Sequence, residues 1–104
     1  MISIEFDTPP DKQRQLAEKL RKLRVFRDLK RGTLAEMSGV PEPSIKRFEL
    51  TGEISLRSLL RLAHALGALD AFGGLFELPA ATSLDEIAQQ EERLAGTSRR
   101  RGRK

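Results

Sequence analysis

Apolar residues in the first quarter of the chain recur with the period of an α-helix. Leu16, Leu20 and Leu23 follow an i, i+4, i+7 spacing, which predicts a helix from about Asp11 to Asp28 with one apolar face. The predicted face consists of Leu16, Leu20, Leu23, Phe26 and Leu29. Thr8, which is followed by two prolines and an acidic residue, is typical of a residue that caps the start of such a helix.

Residues 33–49 predict two short helices joined by a tight turn. Gly39 can adopt a positive φ where the first helix ends, and Pro41 lies near the start of the second. The apolar residues on either side are Leu34, Ala35, Met37, Val40, Ile45 and Phe48. A DNA-reading helix-turn-helix requires this arrangement, and a plain corner between two helices of a small helical domain is the alternative.

A second apolar stripe follows this pair. It consists of Leu56, Leu59, Leu60, Ala63 and Leu66, and it predicts a helix that ends at Gly67. Residues 68–78 are also apolar, but Gly73 and Gly74 interrupt them. Because glycine disfavours a helix interior, a short helix and a turn are predicted there.

The two ends of the chain differ from its middle. Ile2, Ile4 and Phe6 alternate with polar residues, which predicts a short strand or arm within residues 1–8, with an unstructured leader as the alternative. Residues 79–95 predict a short acidic helix as far as about Leu94, and residues 96–104 predict a disordered basic tail. The expected fold is all-α, with residues 9–78 as its main domain.

Charge is distributed unevenly along the 104 residues, whose formal net charge is +4. Residues 12–47 carry eleven Lys or Arg and four Asp or Glu, whereas residues 48–98 carry three and eight. The basic part contains the predicted helix pair, which favours a surface that faces phosphates. A solvated basic face on the first helix is the alternative.

Residues suited to catalysis or metal binding are scarce. The chain has no Cys and one His, His64, and it carries no phosphate-loop or paired-carboxylate motif. We therefore expect no enzymatic activity, no cofactor and no metal site, with His64 at a surface or an interface. No apolar run approaches the roughly 20 residues that cross a bilayer, so we expect a cytoplasmic protein without a membrane partner. Because the helix pair is predicted to read DNA, we expect the protein to be nucleoid-associated.

Residues 16–67 resemble the Cro/cI-type (Xre) helix-turn-helix family. The matching residues are Leu16, Leu20, Arg24, Leu34, Ala35, Gly39, Val40, Ile45, Phe48, Glu49, Leu59, Leu62, Ala63, Ala65, Leu66 and Gly67. The resemblance implies a five-helix, lambda-repressor-like domain that binds double-stranded operator DNA as a homodimer. Arg24 and Glu49 are expected to form a partly buried ion pair. The chain departs from the family in Lys30-Arg31-Gly32, where a capping Ser or Thr and a Gln are usual, and in a turn one residue longer at Glu49-Leu50-Thr51-Gly52.

The second helix of the pair is expected to face the major groove with its first turn. The predicted base-reading residues are Glu42, Pro43, Ser44, Lys46 and Arg47. The predicted phosphate-binding residues are Lys30, Arg31 and Thr33 near the first helix of the pair, and Arg99, Arg100, Arg101, Arg103 and Lys104 in the tail. The run from Arg101 to Arg103 also resembles the core of an AT-hook, a segment that lies in the minor groove, with general phosphate binding as the alternative.

The family resemblance also implies partners. The last helix commonly forms the dimer contact, so Leu69, Phe72, Leu75 and Phe76 are candidate interface residues, with simple core closure as the alternative. The register from Phe48 to Gly67 is most similar to HipB-like antitoxins, which implies an autoregulating repressor that also holds a HipA-like kinase toxin. A stand-alone Xre-family repressor without a toxin partner, or a protein-interaction module that does not bind DNA, are the alternatives.

Overall fold

The computed structural model describes residues 7–102, with side chains as far as residue 96, and all of its regular structure is helical. The elements are α1 (Pro9–Phe26), α2 (Arg31–Ser38), α3 (Glu42–Thr51), α4 (Leu56–Ala65), a 3-10 helix (Leu69–Gly74) and α5 (Leu84–Gly102). They belong to two compact units, one ending at Gly74 and the other beginning at Leu75. The predicted all-α class is confirmed for these residues, and the strand predicted from Ile2 to Phe6 lies outside them.

α1 begins slightly earlier than its apolar pattern predicts, because Thr8 caps it. Thr8 Oγ1 accepts a hydrogen bond from the backbone N–H of Asp11 (3.4 Å), and Asp11 Oδ2 accepts one from the backbone N–H of Thr8 (3.2 Å). The two prolines occupy the first positions of the helix, where a backbone N–H has no intrahelical partner. The predicted cap is therefore confirmed as a reciprocal capping box.

The buried face of α1 is narrower than the predicted one. Ala17, Leu20 and Arg24 are buried, whereas Leu16 is 43% exposed and Phe26 is 81% exposed. The predicted face is therefore wrong at Leu16 and Phe26. Ala17, Leu20 and Arg24 follow an i, i+3, i+7 spacing where α1 packs against α3, so the buried row runs through Ala17 and not through Leu16.

A three-residue turn joins α2 to α3. Gly39 follows α2 with a φ of 77°, and its N–H donates to the carbonyl oxygen of Ala35 (2.9 Å). Val40 is buried beneath the turn, and its N–H donates to Ser38 Oγ (3.1 Å). The two short helices and the tight turn thus lie where the sequence predicts them.

One apolar core holds the first four helices together. Its buried members are Ala17, Leu20, Leu34, Val40, Ile45, Phe48, Leu62 and Leu66. Helix α3 packs against α1 and α2, and α4 packs against α2. The predicted α4 stripe is wrong at Leu56, which is 67% exposed, because this first residue of the helix precedes the part of α4 that reaches the core. Leu62 is instead fully buried.

The short helix predicted after Gly67 is a 3-10 helix, and Gly67 itself has a φ of 73°.

In the second unit, α5 is longer than the predicted short acidic helix and includes part of the predicted disordered tail. It extends to Gly102 instead of ending near Leu94, so residues 96–102 are helical. The physical reason is that one internal glycine costs a helix only about 1 kcal/mol relative to alanine, while arginine favours helix. Within the described residues, no helix is long and apolar enough to cross a membrane.

Candidate nucleic-acid interface

Helix α3 has two faces of opposite character. Ile45 and Phe48 are buried in the core, and they anchor the helix against its neighbours. The five predicted base-reading residues all lie within the first six residues of α3, where Glu42, Pro43, Lys46 and Arg47 are exposed and Ser44 is half-buried. The structure therefore brings these residues together on one anchored helix.

The orientation of α3 is also fixed by a buried carboxylate at its far end. Glu49 accepts two hydrogen bonds from Arg24 of α1, from Nε to Oε2 (2.7 Å) and from Nη2 to Oε1 (2.9 Å). Arg24 Nη1 donates further to the carbonyl oxygen of Leu29 (2.8 Å), just after α1. The expected Arg24–Glu49 ion pair is present, and the Glu49 side chain is only 1% exposed.

A third residue completes this ion-pair cluster. Arg31, at the start of α2, donates from Nε to Glu49 Oε1 (2.9 Å). Burial raises the pKa of Glu49, but the hydrogen bonds from Arg24 and Arg31 outweigh that effect and hold the pKa below its ordinary value. The cluster thus keeps a charged carboxylate inside the fold and connects α1, α2 and α3.

The Arg31 contact changes the role expected for this side chain. It was predicted to bind phosphate, yet its Nε donates inward to Glu49 and its side chain is only 34% exposed. The sequence pattern did not predict this second partner of Glu49, although Arg31 lies where residues 30–32 depart from the Xre-type pattern that the chain resembles. Arg31 therefore has a structural contact in the free protein, and only its remaining N–H groups are available for an outside ligand.

The start of α2 opens into a cleft that both cationic and acidic side chains line. Its lining residues are Arg24, Lys30, Arg31, Gly32, Thr33, Ala35, Glu36 and Glu42. Lys30 and Thr33, both predicted phosphate-binding residues, are exposed there, and Lys30 caps α2 without a side-chain hydrogen bond. The positive end of the α2 dipole and the exposed Lys30 therefore lie at this surface, while Arg24 and Arg31 are paired there with Glu49.

Glu42, which was predicted to read bases from α3, also lines this cleft at the start of α2. A Cβ atom added at Gly32 would lie 3.4 Å from Glu42 Oε1, so the carboxylate is beside the first turn of α2. A negative charge is favourable near a helix N-terminus. The Glu42 carboxylate therefore lies beside the N-terminal end of α2, a position that the sequence pattern did not predict.

Arg47 has an acidic neighbour that sequence reasoning also missed. Its Nη2 donates to Glu53 Oε1 (2.5 Å), in the turn that follows α3. The pair borders a shallow hollow whose other lining residues are Ser44, Ile54, Ser55 and Ser58. Lys46 is exposed on the neighbouring part of α3.

The four predicted dimer residues are divided between the two units. In the first unit, Leu69 is 39% exposed and Phe72 is half-buried. In the second unit, Leu75 and Phe76 are exposed, and Phe76 has a φ of 59°. Arg99, Arg100 and Arg101 lie on α5, while the predicted contacts Arg103 and Lys104 lie outside the described residues.

Comparison of the chain with protein-family models, with curated proteins and with solved structures found no match. Among the described residues, no group of three or more His, Cys, Asp or Glu side chains could hold a metal ion.

Proposed function

We propose that this chain is a sequence-specific DNA-binding transcriptional repressor, in which α2 and α3 form a helix-turn-helix within a lambda-repressor-like domain. The observation that supports this best is the polarity of α3. Its inner side is anchored by Ile45 and Phe48, while Lys46 and Arg47 are exposed on its outer side. An anchored helix with a polar, cationic outer face suits the width of the DNA major groove.

Direct reading of bases is assigned to α3. Lys46 and Arg47 can donate to guanine O6 and N7, and the Ser44 hydroxyl can donate or accept at a base edge. Glu42 can accept from cytosine N4, and its carboxylate also lies beside the first turn of α2. Specificity in this proposal comes mainly from Ser44, Lys46 and Arg47.

Phosphate contacts are assigned to the start of α2. Lys30 and Thr33 are exposed beside the uncapped first turn, whose backbone N–H groups and dipole favour an anion. Such contacts set the position of a protein on DNA but do not read sequence. The clustered positive charge of residues 12–47 supports the same orientation.

A single reading helix contacts only a few base pairs, so the proposed working form is a homodimer on a palindromic operator. Exposed Leu69, with Phe72 beside it, is the proposed dimer contact in the first unit. By occupying its own promoter, such a dimer excludes polymerase. The proposed location is the cytoplasm, at the nucleoid.

The resemblance to HipB-like antitoxins extends the proposal to a HipA-like kinase toxin as a second partner. The second unit supports a protein partner, since its large apolar side chains are mostly exposed: Leu75, Phe76, Leu78, Leu84, Ile87 and Leu94. Exposed apolar patches commonly mark protein–protein contacts. A repressor without a toxin remains the alternative, and co-purification with a stoichiometric kinase separates the two.

DNA binding itself is tested by selecting duplexes from a random-sequence library with the full chain. The expected result is an enriched palindrome whose half-sites lie about one helical turn apart. Affinity should fall as salt rises, because phosphate contacts release counterions. Failure to enrich any sequence would contradict the proposal and favour a module that binds only protein.

A further inference from the structure

The turn between α3 and α4 places an acidic side chain next to the proposed reading face. Arg47 donates to Glu53, and the two side chains are 69% and 59% exposed. An exposed ion pair of this kind contributes little to folding stability. A carboxylate close to a DNA-facing surface also repels phosphates. Folding stability therefore does not account for the position of Glu53 beside Arg47.

The backbone that carries Glu53 is held from both sides. Thr51 Oγ1 donates to the carbonyl oxygen of Arg47 (2.8 Å) and accepts from the N–H of Glu53 (3.1 Å). Gly52 is buried against α1, and Gln13 Nε2 donates to its carbonyl oxygen (3.2 Å). Glu53 therefore projects from a fixed turn and not from a free loop.

The geometry of the pair leaves Arg47 able to bind a base. A guanidinium has five N–H donors in one plane, and the bond to Glu53 uses Nη2. A carboxylate partner restricts the direction of that plane, while the remaining donors can still reach guanine O6 and N7. A phosphate oxygen would compete with Glu53 for the same cation and would bring two negative groups together.

We propose that Glu53 is a specificity-determining residue, which orients Arg47 for a guanine edge and disfavours phosphate contacts by the same guanidinium. This inference rests on the proposed DNA-binding function. On non-cognate DNA, the Glu53 carboxylate repels the backbone and holds Arg47 back. On a cognate site, the pair stays intact while Arg47 donates to the base, so non-cognate binding is weakened more than cognate binding.

The experiment compares two duplexes of equal length and base composition. One is the duplex that the wild-type chain enriches from a random-sequence library, and the other is a scrambled version. Glu53→Gln removes the charge and keeps the shape of the side chain. We expect tighter binding to the scrambled duplex and a ratio of the two affinities that falls about five- to tenfold, which is within the range of one base-pair preference.

Asp70→Asn is the matched control, because Asp70 is an exposed acidic residue of the same unit on the 3-10 helix. It should shift both affinities alike and leave their ratio unchanged. In an Arg47→Lys background, which keeps the charge but loses the planar fork, Glu53→Gln should no longer change the ratio. Thermal unfolding of each variant verifies that the fold is retained.

The outcomes separate the two proposals. A wild-type chain that enriches no duplex from the library contradicts the proposed function and this inference with it. A wild-type chain that prefers the enriched duplex, with Glu53→Gln behaving like Asp70→Asn, leaves DNA binding intact and overturns only the role of Glu53.

Discussion

Glu49 of α3 and Arg24 of α1 are joined by two hydrogen bonds, 2.7 and 2.9 Å long, while the carboxylate is almost fully buried. Burying two charges is costly, so such a pair is weak evidence for stability by itself. Its two-point geometry instead restricts how α3 can rotate relative to α1. Since the proposed reading residues lie on the same helix, this pair connects the core to the surface that we propose binds DNA.

Glu49→Gln should destabilise the folded chain by about 3–5 kcal/mol, because it leaves two guanidiniums without their carboxylate. The free energy of unfolding in urea measures this. Glu18→Gln is the matched control, since Glu18 forms an exposed pair with Arg21 on α1. That change should cost little, because an exposed ion pair contributes little to folding stability. Equal losses in the two variants would show that the buried cluster has no special role.

The same cluster predicts an acid-sensitive fold. The folded-state pKa of Glu49 is lowered, so its contribution is fully present above the ordinary pKa of a glutamate and is lost as the pH falls through the folded value. The unfolding free energies of wild type and Glu49→Gln should therefore converge on acidification. A difference that stays constant from neutral pH to acidic pH would contradict this assignment.

Two glycines with similar backbone angles should respond differently to alanine. Gly39 and Gly52 have φ values of 77° and 82°. A Cβ at Gly39 meets no atom within 4 Å, so Gly39→Ala should cost about 1–2 kcal/mol from backbone strain alone. At Gly52 the Cβ would lie 3.0 Å from the backbone of Gln13, which should add roughly 1–3 kcal/mol. Equal melting temperatures for the two variants would show that α1 and the Gly52 turn separate easily.

The sequence was sufficient for the positions of α1 to α4, because caps, glycines and apolar periodicity act locally. Thr8 and Gly39 are examples, since each contacts residues within four positions along the chain. The contacts Arg31–Glu49 and Gln13–Gly52 join distant positions, and no periodicity predicts them. The exposure of Leu16 and Leu56 likewise depends on where neighbouring helices pack against α1 and α4, which apolar spacing alone does not specify.

The basic end of the chain should contribute to DNA affinity through charge. Deleting residues 97–104 removes five cationic side chains. Each phosphate that these side chains neutralise should add about 0.9 to the steepness of a plot of log affinity against log salt concentration. The truncated chain should therefore show a flatter slope, while its preference for the enriched duplex changes little if these residues bind only phosphates. An unchanged salt dependence would show that this segment does not touch DNA, and the disappearance of sequence preference would favour minor-groove reading.

The central claim is that α3 reads DNA, and the most direct test is the affinity of Lys46→Ala/Arg47→Ala for the enriched duplex. Both side chains are exposed, so the unfolding free energy should stay near that of wild type. Lys19→Ala/Lys22→Ala, on the exposed side of α1, removes the same charge as a control. We predict that the α3 variant loses sequence preference entirely while the α1 variant keeps it. An α3 variant that retains the wild-type preference would contradict the account.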